Sequence, residues 1–231
     1  MKNIEYTKMA YYYDKFYQSK NYENEVNFIK SFINDKNINI LDAGCGTGTH
    51  AKLLNDFGYN VFGFDKSQDM VDLANNKIKG KFFQGDILNL EISDKFDVII
   101  SFFAVFNHLK SYRELKVALK NLKSALKNQG VIIIDFHNPQ KSGEKEETVS
   151  NITRIMKWKK CCLLKKEFSN ITYIIDGKKY KTKHIFKIFT IDKLERVAKQ
   201  IGFKNVEFYS NYDKSKRATK ESKNIQMVLS L

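Results

Sequence analysis

The residues best placed to do chemistry lie in Ile40-Leu41-Asp42-Ala43-Gly44-Cys45-Gly46-Thr47-Gly48-Thr49, where one carboxylate precedes three alternating glycines. Glycine lets a backbone turn tightly and lets a ligand approach closer than a Cβ would allow. A short apolar run precedes the glycines and a helical pattern follows, so they fall at a strand-to-helix turn, where open α/β sheets bind ligands. A dinucleotide fingerprint would need Gly at position 49, where Thr stands, and a P-loop would need Gly-Lys-Ser/Thr, so neither phosphate-binding loop is expected. Two more carboxylates close predicted strands. Asp65 ends Val61-Phe62-Gly63-Phe64, 19 residues after Gly46, near the spacing at which a carboxylate accepts ribose hydroxyls. Asp86, in Phe83-Gln84-Gly85-Asp86-Ile87, ends the next strand; either Asp could instead cap the helix that follows it. His108, just beyond the fourth predicted strand, is the candidate general base, because imidazole titrates near neutrality unaided; a structural hydrogen bond to its own loop is the alternative. His50, His137 and His184 are weaker candidates.

The Asp-x-Gly-x-Gly-x-Gly segment resembles the first motif of class I S-adenosylmethionine-dependent methyltransferases. The likeness runs from about residue 11 to the C-terminus and takes in Ser67-Gln68-Asp69-Met70 and the fourth strand, Phe96 to Phe103. Within that superfamily the chain is similar to the N,N-dimethyltransferases of nucleotide-linked amino sugars. The shared features are Tyr13-Asp14 with Tyr17, Lys20-x-Tyr22-x-x-Glu25, Gly46-Thr47-Gly48-Thr49-His50, Asn107-His108-Leu109 and a strand-rich insert before Phe189-Thr190. The resemblance implies S-adenosylmethionine as cofactor, with no metal. It assigns the cofactor to Tyr22, Asp42, Gly44, Gly46, Gly48, Asp65, Lys66, Met70, Asp86, Ile87 and Phe103. Asp86 would face the adenine amino group, Met70 the adenine ring, and Tyr22, assisted by Lys20, the methionine carboxylate; Tyr13 and His108 would serve the acceptor. That acceptor is expected to be a small, phosphorylated or otherwise anionic molecule, preferably the amine of a nucleotide-linked amino sugar. A sulfonium is already a strong electrophile, so the protein has chiefly to orient two partners in a dry pocket, worth about 7–11 kcal/mol, and to accept a proton.

The elements that must position these residues alternate. The spacing predicts a helix over residues 22–34, a strand at Ile38–Leu41, a helix from Thr49 to Phe57 and a strand at Val61–Phe64. A helix capped by Ser67 follows, then strands at Lys81–Phe83 and Phe96–Ile100, a helix from Tyr112 to Leu126 and a strand at Val131–Ile134. This pattern predicts an α/β fold with a Rossmann-like, doubly wound, seven-stranded and mostly parallel sheet. Residues 140–151 read as a flexible connection. Beyond it, Ile152–Met156, Ile171–Ile175 and Lys183–Phe189 read as an antiparallel β insert around the Asp176-Gly177 turn. A helix at Thr190–Ile201 and strands at Asn205–Tyr209 and Ile225–Leu229 complete the core. The expected organisation is an N-terminal helical cap over the cofactor (1–37), a methyltransferase core (38–139 and 190–231) and an insert or lid (140–189).

With 231 residues, 42% of them hydrophobic and 29% charged, the chain has the composition of a globular protein and not of a disordered or collagenous one. The N-terminus lacks a signal-peptide pattern and no apolar run reaches the ~20 residues of a membrane span, so a cytoplasmic protein without a membrane partner is expected. Three cysteines without Cys-x-x-Cys spacing suit a reducing compartment. The net charge of +14 is uneven: residues 1–150 carry 20 Lys+Arg against 19 Asp+Glu, and residues 151–231 carry 20 against 7. Such a block attracts nucleic acid, anionic surfaces or phosphorylated molecules, or merely solvates a surface. The pyrophosphate of a sugar nucleotide is expected to rest on the lysines of the insert. Methylation of RNA or another nucleic acid is a less favoured alternative, because Ser101-Phe102-Phe103-Ala104 stands where the amino-methylating enzymes have Asn/Asp-Pro-Pro-Tyr/Phe. A non-catalytic S-adenosylmethionine-binding module is another. Asp97 and Asp135, at opposite ends of their strands, give thin support for a metal.

Overall fold

The computed structural model describes residues 14–17, 20–78 and 81–231. The chain first forms α1 (Tyr22–Lys30), β1 (Asn39–Ala43), α2 (Thr49–Asp56), β2 (Asn60–Asp65), α3 (Gln68–Lys77) and β3 (Phe82–Gln84). It continues with β4 (Phe96–Ser101), α4 (Tyr112–Ser124) and β5 (Leu126–His137). After the insert come α5 (Ile191–Ile201), β10 (Asn205–Ser210), β11 (Asp213–Arg217) and β12 (Asn224–Ser230). The large sheet has the order β11-β10-β12-β5-β4-β1-β2-β3. Strands β1 to β5 pair in parallel, while β12 runs antiparallel to both β5 and β10.

Successive side chains of a strand point to opposite faces, and both faces here are covered. Leu41, Ala43, Ile99 and Ile132 pack with Leu115, Leu119 and Leu122 of α4 and Leu194 of α5. Ile40, Val61, Val98 and Ile100 pack on the other side with Val26 and Ile29 of α1, Leu54 of α2 and Val71 of α3. The strand order reverses between β1 and β4, so the loops leaving their C-terminal ends diverge and open a cleft.

The sheet has eight strands where seven were expected. The eighth, β11, folds back on β10 through Asn211 and Tyr212, both at φ 56, a two-residue turn with the left-handed conformation that hairpins favour. Its sequence, Asp213-Lys214-Ser215-Lys216-Arg217, is charged and almost wholly exposed, which suits an edge strand and leaves no alternation to read.

The insert is a separate antiparallel sheet of β6 (Gly143–Val149), β7 (Ile152–Cys161), β8 (Lys166–Ile175) and β9 (Lys178–Lys187). Asp176 and Gly177, at φ 49 and 75, make the β8–β9 turn. The stretch read as a flexible connection is in fact β6. It is an edge strand of mostly exposed Lys and Glu, and its Glu147 pairs with the buried Arg154 of β7. The inner face of this sheet packs Ile152, Tyr173 and Ile175 around Phe16, from the helical residues 14–17.

Candidate active site

A cavity of about 540 Å³ lies at the C-terminal ends of β1 to β4. Its floor is the loop between β1 and α2. The amides of Gly44 and Cys45 both donate to the Phe64 carbonyl, at 2.8 and 2.9 Å, which ties this loop to β2. Gly44 has φ +81, and a Cβ there would stand 2.7 Å from Cγ1 of Val105. Gly46, at φ +53, has open space where its Cβ would be, and it lines the cavity. Gly48 plays a different part from the one expected. It caps α2 in the left-handed conformation and lets Ala74 of α3 approach, so it shapes the loop without lining the cavity. Thr47 donates to Asp14 at 2.5 Å and Lys77 reaches the same carboxylate at 2.7 Å, fastening residues 14–17 over the loop.

The three strand-end carboxylates converge on this space, each in a different electrostatic setting. Asp42 is 2% exposed, and its Oδ2 has no hydrogen-bond partner among the described residues. Burial, with Asp65 adding to it, pushes its acid up to about 7. Asp65 accepts from Gly46 N at 3.0 Å through Oδ2 and from Ser67 N at 2.9 Å through Oδ1, joining the first two loops of the site. Asp86 accepts from Lys66 Nζ at 2.8 Å and from Leu88 N at 3.0 Å. The Lys66 bond, then the Leu88 amide, hold its carboxyl below the usual range. Asp86 thus caps the 3-10 turn Ile87–Asn89 that follows it, whereas α3 is capped at Ser67 and not at Asp65; both carboxylates border the cavity. Met70 and Ile87 also line it. Burial keeps the Cys45 thiol protonated, so it is no nucleophile.

Beyond β4 the backbone turns through Phe103 and Ala104, both at positive φ, 65 and 57. The buried Asp135 of β5 holds this turn, accepting from Phe103 N at 3.1 Å, Ala104 N at 2.7 Å and the Tyr212 hydroxyl at 2.9 Å. Asp97, at the far end of the sheet, is engaged by Lys127 and the Asn39 amide. Tyr22 stacks on Phe103, with ring centroids 5.8 Å apart, and meets His50 edge-on at 5.1 Å. His50 Nε2 lies 2.6 Å from the buried Glu25, whose other oxygen pairs with Lys20 at 2.6 Å. Burial pushes the Glu25 acid up, but His50 and Lys20 outweigh it and hold the carboxyl below its usual range. Lys20, expected near a ligand carboxylate, is committed to Glu25 and to the face of Phe103. Glu25 is visible in the sequence only as part of a motif, and nothing local in the sequence marks Asp135 as the anchor of the turn.

His108 ends a short 3-10 helix, Val105–His108, at the cavity mouth. Its ring packs against Phe186 at 4.7 Å and His184 at 5.9 Å, both from β9. Partial burial and then His184 lower its pKa below 6.5. The neighbouring Asn107 is fully buried and clasps two other segments with three bonds: it donates to the carbonyls of His137 and Lys187 and accepts from His137 N. Tyr13 lies outside the described residues. The insert lysines do not meet the expectation set for them. Lys157, Lys159, Lys179, Lys181 and Lys183 occupy the register positions opposite to those of His184 and Phe186, so they face away from the cavity.

Fold and site together define a class: a doubly wound α/β protein whose cleft is lined with carboxylates and glycine turns and has no phosphate-binding loop. A family model described as a methyltransferase domain matches residues 13–208, and the chain belongs to that family. An uncharacterised protein of Methanocaldococcus jannaschii is 34% identical over 87% of this chain and 75% of its own length. A dTDP-3-amino-3,4,6-trideoxy-alpha-D-glucopyranose N,N-dimethyltransferase of Streptomyces venezuelae is 29% identical over 53% of the chain and 54% of that protein, so this chain spans about half its length. Among solved structures, an S-adenosylmethionine-dependent methyltransferase from Clostridium acetobutylicum superposes with a TM-score of 0.83 at 23% identity, covering 98% of both chains, and shares the fold.

Proposed function

We propose that this protein transfers a methyl group from S-adenosylmethionine to a small acceptor, preferably the amine of a nucleotide-linked amino sugar. The observation that carries the cofactor is the unpartnered buried oxygen of Asp42 beside the glycine loop. A buried carboxylate without a donor is costly, and a cationic, hydroxyl-bearing ligand satisfies it where a phosphate would not. S-adenosylmethionine carries an ammonium and a sulfonium for Asp42, ribose hydroxyls for Asp65 and an adenine amino group for Asp86. Ile87 and Met70 offer apolar walls and Phe103 and Tyr22 an aromatic one. When bound, this cofactor supplies an electrophilic methyl group that needs no metal to activate it.

The chain's own work is to orient and to move a proton. Asn107 fixes the 3-10 helix, and with it His108, at the cavity mouth. With its pKa lowered, His108 is neutral at pH 7 and free to take a proton from an ammonium acceptor, exposing the lone pair that attacks. Phe186 and His184 flank this mouth. The amino sugar as acceptor is supported by the relative from Streptomyces venezuelae and by the motif around Asn107-His108. Lys157, Lys159, Lys179, Lys181 and Lys183 of the insert give it no support, since they face away. Release of S-adenosylhomocysteine, measured against nucleotide-linked amino sugars, free amines and RNA, tests the proposal. Turnover on the amino sugars alone is expected; turnover on RNA alone would overturn the acceptor assignment.

A further inference from the structure

Across β7, β8 and β9 the outward register positions carry the five lysines named above together with Lys166 and Lys187 and not one acidic residue; the outward acids of the sheet, Glu144 and Glu146, lie on the edge strand β6. The inward positions of the same strands carry Arg154, Lys160 and Lys178 with Glu167. A lysine-rich composition would load both faces alike, so the asymmetry belongs to the fold. Lys157 meets Glu144 of the edge strand at 3.0 Å. The other outward lysines have no carboxylate partner among the described residues. Lys187 is held below the usual ammonium range by burial and then by Lys166, Lys165 and Lys193, the signature of an uncompensated cationic field.

One end of this face is also apolar. The β7–β8 turn carries Leu163, 92% exposed, and Leu164, 52% exposed. Behind it Phe168 pairs with Lys159 on β7 and with Ile185, 53% exposed, on β9. Lys159, Lys165 and Lys166 ring this apolar tip. Two exposed leucines set in a collar of lysines combine the two terms that hold a protein on a lipid surface: apolar insertion and attraction to anionic headgroups. Nucleic acid fits less well, because Trp158, Tyr173 and Tyr180 take inward positions and leave Phe168 as the one aromatic for stacking. A second copy docked here would set lysines against lysines.

We propose that the outer face of the insert, led by the Leu163-Leu164 turn, docks this protein on an anionic phospholipid surface. The site described above does not depend on this. Co-sedimentation with vesicles of phosphatidylcholine, with and without about one-third phosphatidylglycerol, is the test. Partitioning onto the anionic vesicles is expected to be at least about tenfold stronger and to fall with salt. The triple variant K159E/K181E/K183E should weaken it by about 100-fold. Leu163→Ser with Leu164→Ser should weaken it by about tenfold at unchanged charge. All these positions are exposed, so circular dichroism and melting temperature should match those of the unaltered protein. Equal partitioning onto neutral vesicles, no partitioning at all, or indifference to both variants would overturn the proposal. Binding of an RNA oligonucleotide that needs the lysines but not the leucines, without vesicle binding, would reassign the face to nucleic acid.

Discussion

Asp42 sets stability against function, and Asp42→Asn separates the two. In the folded chain its acid lies at about 7, against 3.8 for an unperturbed Asp, because burial disfavours the charge. A group raised on folding contributes stability below its unfolded pKa and loses it as pH climbs through the folded value. The ligand-free protein is therefore penalised progressively between about pH 4 and pH 7, and the penalty is constant above that. At about 1.4 kcal/mol per pH unit the full span is about 4 kcal/mol, and relaxation of the protein around the charge lowers it to about 2–4 kcal/mol. Asn fills the same space without the charge. Urea denaturation of Asp42→Asn at pH 8 should show a gain of that size, with a melting temperature higher by several degrees, and the gain should shrink toward pH 4. Calorimetric titration with S-adenosylmethionine should show the opposite: a loss of about 1.5–3 kcal/mol, or about 10- to 150-fold in affinity. A variant that is no more stable at pH 8 and binds as tightly would refute both the buried charge and its partner.

Other substitutions separate architecture from binding and catalysis. Gly44→Ala places a Cβ against Val105 at φ +81 and should cost about 1–3 kcal/mol of stability by denaturation, whereas Gly46→Ala meets no atom, should cost only about 1 kcal/mol for its left-handed backbone at φ +53, and should weaken cofactor binding. Asp135→Asn removes the carboxylate that holds the turn at Phe103 and Ala104, and should cost about 1.5–3 kcal/mol of stability, more than Tyr212→Phe, which deletes one of its bonds. His108→Ala should lower kcat by about 10²–10⁴-fold and leave cofactor affinity intact. In the parent enzyme the acidic limb of the rate profile should fall below pH 6.5, since the neutral imidazole is lost as pH drops through its lowered pKa.

Much of this was legible in the sequence because it is local. The glycine turn, the strand-end carboxylates and the Asp176-Gly177 hairpin each follow from residue type at a fixed spacing. The adjacent apolar residues Ile40-Leu41 of β1 and Val98-Ile99-Ile100 of β4 announce strands covered on both faces. What was not legible depends on partners far along the chain. Strand β6 lies among charged residues and exists because Glu147 meets Arg154 and the β7 backbone pairs with it. The work of Asp135 depends on Phe103 and Ala104, 32 and 31 residues earlier, and on Tyr212, 77 later. The composition counted the insert lysines, but only strand register shows that they turn away from the cavity. Register is a property of pairing, and a one-residue shift would have turned every one of them inward.

Hydrogen–deuterium exchange with and without S-adenosylmethionine addresses the central claim most directly, because it reports where on the chain the ligand sits. Slowed exchange is expected in three separate stretches, residues 42–48, 65–70 and 86–88, with the insert unaffected. Protection confined to any other region, or no change at saturating ligand, would contradict the placement of the methyl donor at the ends of these strands.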